Sequence, residues 1–387
     1  MKKIELKSKI INDKYTEYVY ESFDIQNREE TSVSISMNLG EAKNFDWNIG
    51  VILGGSGSGK TTILKKMGDV KKINFDAEKP LISNFNWLQP KDAALVLTSM
   101  GLSSVPTWLR PFHTLSNGEQ YRATLAYLVA SAKDDEVILI DEYTSVVDRD
   151  VAKAMSFALQ KYIRRENKRI ILASCHYDIL EWLMPDWTCS PQKGGALERC
   201  DYRRQGRPKI EIDVHRCRYE TWQLFKQHHY LSQDLNKASK CYVFTWNKKP
   251  IAFIAILPFP GVFDAKTRVI SRIVVLPDFQ GLGIGKALIN YISSLYSSIG
   301  SKMYIRTVNP AIGIALGKDK NWKETCKNLK PMNSSTASKD TNGQQNRLKR
   351  VSYSYKYEGI KNTDNTDIIT FNADAWKDVS QNQISLF

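Results

Sequence analysis

Gly54 to Thr61 reads GGSGSGKT and fits the spacing G-x-x-x-x-G-K-[ST]. Glycines there let backbone N–H groups close around phosphate oxygens, and a helix N-terminus behind them adds positive potential. In such a loop Gly54, Gly57 and Gly59 shape the cradle and Lys60 reaches the β- and γ-phosphates of ATP. The Thr61 hydroxyl, with Thr62 beside it, faces Mg²⁺. A second stretch is the acidic pair Asp141-Glu142 closing the apolar run Glu136 to Ile140. A strand ending this way delivers one carboxylate to a metal and a second to an attacking water. A third is Gln280-Gly281-Leu282-Gly283-Ile284-Gly285-Lys286, where glycines again permit close approach and a following helix attracts a pyrophosphate. His229-Tyr230, inside HHYLSQD, pairs a group that titrates near neutrality with a proton donor. The same two residues serve equally well as a helix-surface histidine beside a core tyrosine.

These groups need elements to hold them. The apolar run Ile49 to Leu53 enters the first loop like a buried strand, and Thr62 to Met67 leaves it with helical character. Residues 1–50 hold strand-like runs such as Thr31 to Leu39, expected to feed the same sheet. An aromatic there, Tyr20 or Phe23, is as suited to the core as to stacking on adenine. Helical character follows over Lys91 to Met100 and Tyr121 to Ala132, and Arg169 to Ser174 is another buried strand. Pro185 to Pro208 is rich in Pro, Gly and charge, including Arg199, Arg203, Arg204 and Arg207, and marks a boundary. Beyond it Lys209 to Val214 alternates like a strand. Tyr219 to Tyr230 is expected as a helix with Trp222 and Phe225 facing the core. Lys240 to Trp246 and Pro250 to Leu257 form a hairpin around Asn247-Lys248-Lys249. Arg268 to Leu276 is a strand running into the second glycine loop. A helix over Ala287 to Tyr296 and strands over Lys302 to Val308 and Val351 to Tyr357 complete the pattern.

The chain has 387 residues, enough for two or three domains, and an apolar content of 42% supports real cores. No run is long and apolar enough to span a bilayer, and MKKIELKSKI lacks the apolar centre of a signal peptide, so a cytoplasmic protein is expected. Six scattered cysteines without a C-x-x-C pair read as reduced thiols. Cys200, His215 and Cys217 match no standard zinc spacing. The net charge of +14 falls wholly in residues 201–387, since residues 1–200 carry as many basic as acidic side chains. A one-sided basic field draws polyanions and releases their counterions, which places nucleic acid ahead of a merely solvated lysine surface.

Taken in order, the first-half motifs resemble an ABC-type ATPase domain over residues 1–190. The resemblance implies roles for Gln89 as the Q-loop glutamine sensing Mg²⁺ and nucleotide, and for Ser116 and Gly118 in the signature stretch Leu115 to Gln120. It makes Asp141 the metal carboxylate, Glu142 the general base, Asp148 the D-loop aspartate and His176 the switch histidine. Thr61, Gln89 and Asp141 would then hold Mg²⁺. Two departures stand out: the signature reads LSNGEQ, with Asn117 replacing a glycine, and the segment between Lys60 and Gln89 is short. An ABC signature acts across a dimer, so an ATP-dependent head-to-tail pair is implied. With no membrane segment, the relevant relatives are the soluble ones, which work on DNA, RNA or ribosomes.

The second half resembles the GNAT acyltransferase family over residues 209–358, on the pattern V-V-x-P, then Q-x-x-G-x-G, then helix and strand. The resemblance implies acetyl-CoA or another acyl-CoA as cofactor. Gln280, Gly281, Gly283, Gly285 and Lys286 would contact the pyrophosphate, Ile273, Val274 and Val275 would line the pantetheine arm, and Asn309 is a further contact. The family's usual glutamate before the loop is missing between Val269 and Leu276, and no tyrosine lies within Asn309 to Leu316, which leaves His229 and Tyr230 as substitutes. The order HHYLS, RIVVLPDFQGLGIG, VSYSYKY resembles Mom-type GNAT domains, which modify bases in phage DNA.

Lys327 to Arg350 is polar, basic and low in complexity, and the tail Lys361 to Asn382 is expected to be mobile. The last residues, Gln383 to Phe387, are similar to the bacterial sliding-clamp-binding pentapeptide, with Gln383 orienting and Leu386 and Phe387 filling a pocket. The expectation is therefore an α/β protein: an ABC-type P-loop ATPase domain (1–190), a basic linker (191–208), an α/β GNAT-like acyltransferase domain (209–358) and a flexible tail (359–387). The expected activity is ATP binding and hydrolysis joined to acyl transfer onto nucleic acid, DNA first and RNA second. One alternative is an acetyltransferase for a protein or small amine, whose activity salt would barely alter. Another is a non-catalytic DNA-associated ATPase whose GNAT module only binds CoA or a partner.

Overall fold

The computed structural model describes residues 2–26, 28–37, 45–205, 209–229, 234–259, 264, 266–332 and 350–370. The chain divides into two compact units, Met1–Ile73 with Leu128–Pro208, and Asn74–Tyr127 with Lys209–Phe387.

In chain order the first elements are β1 (Lys2–Lys9), α1 (Lys14–Phe23), β2 (Glu30–Met37), β3 (Ile49–Leu53) and α2 (Lys60–Met67). The inserted stretch holds α3 (Pro90–Ser99), α4 (Val105–Trp108) and the start of α5 (Asn117–Ser131). Then come β4 (Val137–Ile140), α6 (Arg149–Arg165), β5 (Arg169–Ser174), α7 (Leu180–Leu183), β6 (Trp187–Cys189), β7 (Leu197–Arg199) and α8 (Tyr202–Gln205). The first unit's main sheet has the order β4-β5-β3-β6-β7, parallel except for the β6–β7 pair. β3 is buried at every position, as the apolar run demands for a strand covered on both faces.

Three expectations change here. Within the run Thr31 to Leu39, β2 does not feed the sheet of the first glycine loop: among the described residues it pairs with β1, in a separate two-stranded antiparallel sheet. Ile4 and Ile35 nevertheless join the first unit's core, beside Ile52, Ile63 and Leu64. Between them lies a helix rather than another strand. Asp13 caps α1, accepting from Tyr15 N and Thr16 N, while Thr16 reaches back in a capping box. Tyr20 and Phe23 both sit on α1, where Phe23 is exposed. Finally, the stretch expected to link the halves supplies β6 and β7, and Trp187 is fully buried. Arg199 stacks over the Phe45 ring at 4.0 Å, and Arg204 pairs with Asp201, so neither is a bare cation of a linker. Arg207 lies outside the described residues.

Trp187 also fixes what may stand opposite it. A Cβ on Gly50 of β3 would lie 2.0 Å from the indole. Gly50→Ala is therefore expected to cost about 3 kcal/mol by overpacking, read as a lowered denaturation midpoint with an unchanged slope; an unshifted midpoint would contradict this packing.

The second unit continues with β8 (Asp213–Cys217), β9 (Lys240–Trp246), β10 (Lys249–Pro258), β11 (Thr267–Val275), α9 (Ile284–Ser298), β12 (Lys302–Thr307), α10 (Pro310–Gly317), β13 (Trp322–Glu324), β14 (Lys330–Met332), β15 (Arg350–Tyr357) and α11 (Asp367–Thr370). Its sheet runs β8-β9-β10-β11-β12-β15-β13, with β14 also on β15, and β11–β12 is the parallel pair among these. Asn247 and Lys248 both take positive φ, 50° and 66°, giving the hairpin its tight two-residue turn.

Two further corrections arise. The described part of the stretch expected as a helix, Tyr219 to His229, is not an α-helix but two 3₁₀ segments, Tyr219–Leu224 and Lys226–His228, with His229 extended. Trp222 and Phe225 still enter the core, packed with Phe253 and Val274. The tail is folded through Thr370: Asn362 N donates to Ser294 O, the Tyr357 hydroxyl donates to Ile360 O, and Ile369 is buried. The rest of it, with Gln383, Leu386 and Phe387, lies outside the described residues, as do Tyr230 and most of the low-complexity loop.

Candidate nucleotide and acyl-CoA sites

In the first unit the chemistry collects at one edge of the parallel sheet. The glycine loop follows β3, Asp141-Glu142 follows β4, and His176 lies just beyond β5, so neighbouring strands point all three the same way. Gly57 and Gly59 have φ of 74° and 94°, a region open to glycine and strained for other residues. Gly59 caps α2 and no side chain bonds the first-turn N–H groups, which leaves them for phosphate oxygens. Lys60 Nζ donates to Gly54 O and Gly55 O, 2.7 Å each, folded over its own loop. Thr61 and Thr62 open α2.

The loop is tied to the acidic edge by a short chain of bonds. Gly54 N donates to Ser174 O at 3.3 Å. The Ser174 hydroxyl donates to Tyr143 O at 2.9 Å and accepts from His176 N at 3.1 Å. Tyr143 N in turn donates to Ala173 O at 2.7 Å. Glu142, exposed between Asp141 and Tyr143, sits at φ 50°, and its N–H is bonded to Asp141 Oδ1 at 2.9 Å. A non-glycine residue held there costs about 1–3 kcal/mol, a strain that the Tyr143 and Ser174 bonds sustain. His176 is held below the ordinary histidine range, first by burial and then by the Arg149 cation, with Asp178 opposing. Arg149 and Asp178 are themselves paired. Asp148 caps α6, accepting from Val151 N at 3.0 Å.

Gln89 and the signature stretch belong to the second unit. Gln89 is the N-cap of α3 and makes no side-chain capping bond. Ser116 and Glu119 form a capping box at the start of α5, with Glu119 accepting from Ser116 N at 3.0 Å and Ser116 Oγ accepting from Glu119 N at 3.3 Å. That S-x-x-E spacing was legible in LSNGEQ. Among the described residues neither Asn117 nor Gly118 has a positive φ. Asparagine in place of the usual glycine therefore costs no backbone strain.

The second glycine loop repeats the first one's construction. Gly281 and Gly283 have φ of 88° and 81°, Gly283 caps α9 without a side-chain cap, and a Cβ at Gly283 would meet nothing within 4 Å. A Cβ at Gly285 would sit 3.5 Å from Val275. The pairing of β11 with β12 stops at Ile270↔Ile305, while β11 runs on to Val275 along β10. Ile273, Val274 and Val275 thus lie where the two parallel strands part, the setting in which an extended arm adds to a strand edge. Asn309 caps α10, accepting from Ala311 N and Ile312 N. Lys286 Nζ pairs with Asp319 at 2.9 Å, and Asp319, further bonded by Asn290 and Asn321 N, is lowered to about 2 against the effect of burial. Gln280 is held at both ends of its amide: Nε2 donates to Val275 O at 2.8 Å and Oε1 accepts from Ser103 N at 2.7 Å.

His229 is 7% exposed, with its ring edge-on to Trp222 at 5.6 Å, so it stands in the core rather than on a helix surface. His215 Nε2 bonds Thr245 Oγ1 and Cys217 is buried. Among the described residues no three His, Cys, Asp or Glu side chains gather as a metal site. No described helix is long and apolar enough to cross a membrane.

Residues 177–312 match the model of the acetyltransferase (GNAT) family. That match spans the part of the chain that holds the second glycine loop. No curated protein matches the chain. Among solved structures, the ribosomal-protein-S18-alanine N-acetyltransferase of Escherichia coli is 16% identical, with a TM-score of 0.29 over 40% of this chain and 98% of that one. A Bacillus subtilis acetyltransferase in complex with CoA is 15% identical, with a TM-score of 0.29 over 39% and 100%. CbiO1 from Clostridium perfringens, part of an ABC transporter complex, is 18% identical, with a TM-score of 0.31 over 41% and 78%. At these identities and TM-scores the likenesses assign no role to this chain. The narrower likeness to Mom-type domains gains nothing from these matches.

Proposed function

We propose that the chain binds and hydrolyses ATP in its cassette and transfers an acyl group from acetyl-CoA, or another acyl-CoA, onto nucleic acid, with DNA ahead of RNA. The observation that carries the two-cofactor assignment is the repeated construction of strand, positive-φ glycines and a helix N-terminus without a side-chain cap, at Gly54–Thr61 and at Gln280–Lys286. Each supplies oriented N–H donors for a phosphate chain. Thr61 and Asp141 offer hard oxygen donors of the kind Mg²⁺ takes, and the ion would neutralise charge on the terminal phosphates. Glu142 would orient the attacking water, and a neutral His176 would donate or accept one hydrogen bond at the terminal phosphate. Nucleic acid as acceptor is supported by the basic excess, all of it in residues 201–387.

The test is mass spectrometry of nucleosides digested from DNA and tRNA of cells expressing the protein, against a Lys60→Ala, Gly283→Glu double variant. A new mass in the DNA pool, absent from the control, is expected. Unaltered nucleosides in both pools would sink the nucleic-acid acceptor.

A specific observation favours a second reading, a GNAT module that binds acyl-CoA without turning it over. No carboxylate lies on β11, no tyrosine lies within Asn309 to Leu316, and His229 is in the core. Steady release of free CoA would exclude it.

A further inference from the structure

The second unit packs the nucleotide-sensing segments of the cassette directly on the acyl-CoA loop. Gln280 receives its hydrogen bond from Ser103 N, in the turn between α3 and α4. Gly101 in that turn, at φ 81°, comes so close that a Cβ there would lie 3.2 Å from Gln280 O and 3.5 Å from Arg122 Cδ. Arg122 lies on α5 just after the signature stretch, has a side chain 2% exposed, and pairs at 3.5 Å with Asp278, two residues before Gln280. Glu119 completes the path: while boxed with Ser116 it accepts from the Thr107 hydroxyl of α4 at 3.0 Å. His228 lies within the influence of both Glu119 and Asp278. On the Q-loop side, α3, which Gln89 caps, contacts α10, which Asn309 caps.

A buried guanidinium is expensive unless it is held by partners, and this one's acidic partner comes from the glycine loop of the other activity. A packing role alone would be met by an apolar side chain at position 122. The loop side offers two groups, Asp278 and the Gln280 amide, and both are engaged by the stretch 103–122 rather than turned toward a cofactor. Any shift of α5 is thus felt at the N-terminus of α9.

We propose that Arg122 and Gln280 are positioning residues that couple the signature helix to the acyl-CoA loop, so that nucleotide on the signature of one copy resets that copy's affinity for acyl-CoA. The coupling presupposes the acyl-CoA site proposed above. The nucleotide would be one held by a second copy and touching Ser116 and Gly118. Coupling between two ligands is reciprocal, so CoA must shift nucleotide affinity by the same factor.

The experiment is calorimetric titration of the full chain with CoA, with and without the non-hydrolysable analogue AMPPNP, in wild type, Asp278→Asn, Ser103→Pro, which removes the N–H that Gln280 accepts from, and Gly283→Glu. Asp278 is 54% exposed, so its replacement keeps the test open where a buried Arg122→Met chain fails to fold. AMPPNP is expected to change the wild-type Kd for CoA by about tenfold, and CoA that for AMPPNP by the same factor. In Asp278→Asn and Ser103→Pro the change should fall below about twofold while both ligands still bind singly. A merely structural pair would weaken both ligands without touching the ratio, and an undiminished ratio in both variants overturns the proposal. CoA binding that ignores AMPPNP in wild type overturns the coupling and leaves the acyl-CoA site standing. Failure of wild type to bind CoA, matching Gly283→Glu, removes the site and the coupling together.

Discussion

Glu142→Gln is expected to lower ATP turnover by about a thousandfold while sparing ATP binding, and to leave a dimer held by unspent nucleotide. The backbone argument makes this a clean substitution. Glu142 sits at φ 50°, and its N–H bond to Asp141 belongs to the main chain, so glutamine inherits the same strain and the same bond. The side chain is exposed, so no packing is lost. What disappears is the carboxylate that would align water at the terminal phosphate. Turnover and size-exclusion elution with ATP and Mg²⁺ check the two halves of the statement. Persistent monomer would argue against a head-to-tail pair, and undiminished turnover would remove Glu142 from the chemistry.

Gly283→Glu should abolish acyl-CoA binding, weakening it by on the order of a hundredfold or more, with the fold retained. The new Cβ meets nothing within 4 Å, so there is no steric reason to unfold. Two effects act on the ligand instead. A side chain at φ 81° strains the turn that presents the first N–H groups of α9, at a cost of about 1–2 kcal/mol. A carboxylate at the helix N-terminus then occupies the place of a pyrophosphate and repels it. CoA titration and circular dichroism together decide the outcome: binding that survives in a folded variant would move the cofactor away from this loop.

Much of this was legible because the relevant signals are local. β5 spans the run read from Arg169 to Ser174, and β3 is bounded by the loop that follows it. Glycine spacing located both phosphate-type loops because positive φ is a property of single residues. What escaped was decided by partners distant in sequence. Nothing in Thr31 to Leu39 says that it pairs with Lys2 to Lys9 instead of joining β3. Trp187 looked like part of a charged boundary because its burial depends on Gly50 having no side chain. The Pro, Gly and Arg content around it described the turns flanking β6 and β7. Helical periodicity over Tyr219 to Tyr230 placed Trp222 and Phe225 correctly inward, but two 3₁₀ segments achieve the same burial. Arg122 could not be singled out in YRATLAYL, since its meaning comes from Asp278, 156 positions away.

The membership of Asn74–Tyr127 in the second unit bears on how such a protein can be divided. A cut at the composition break near Pro208 looks natural in the linear chain, yet it would sever Ser103 from Gln280 and Arg122 from Asp278. The residues beyond that break are therefore not a piece that recombination or fission could release whole. The second unit's boundary runs through the middle of the first-half sequence, at Ile73/Asn74 and again at Tyr127/Leu128.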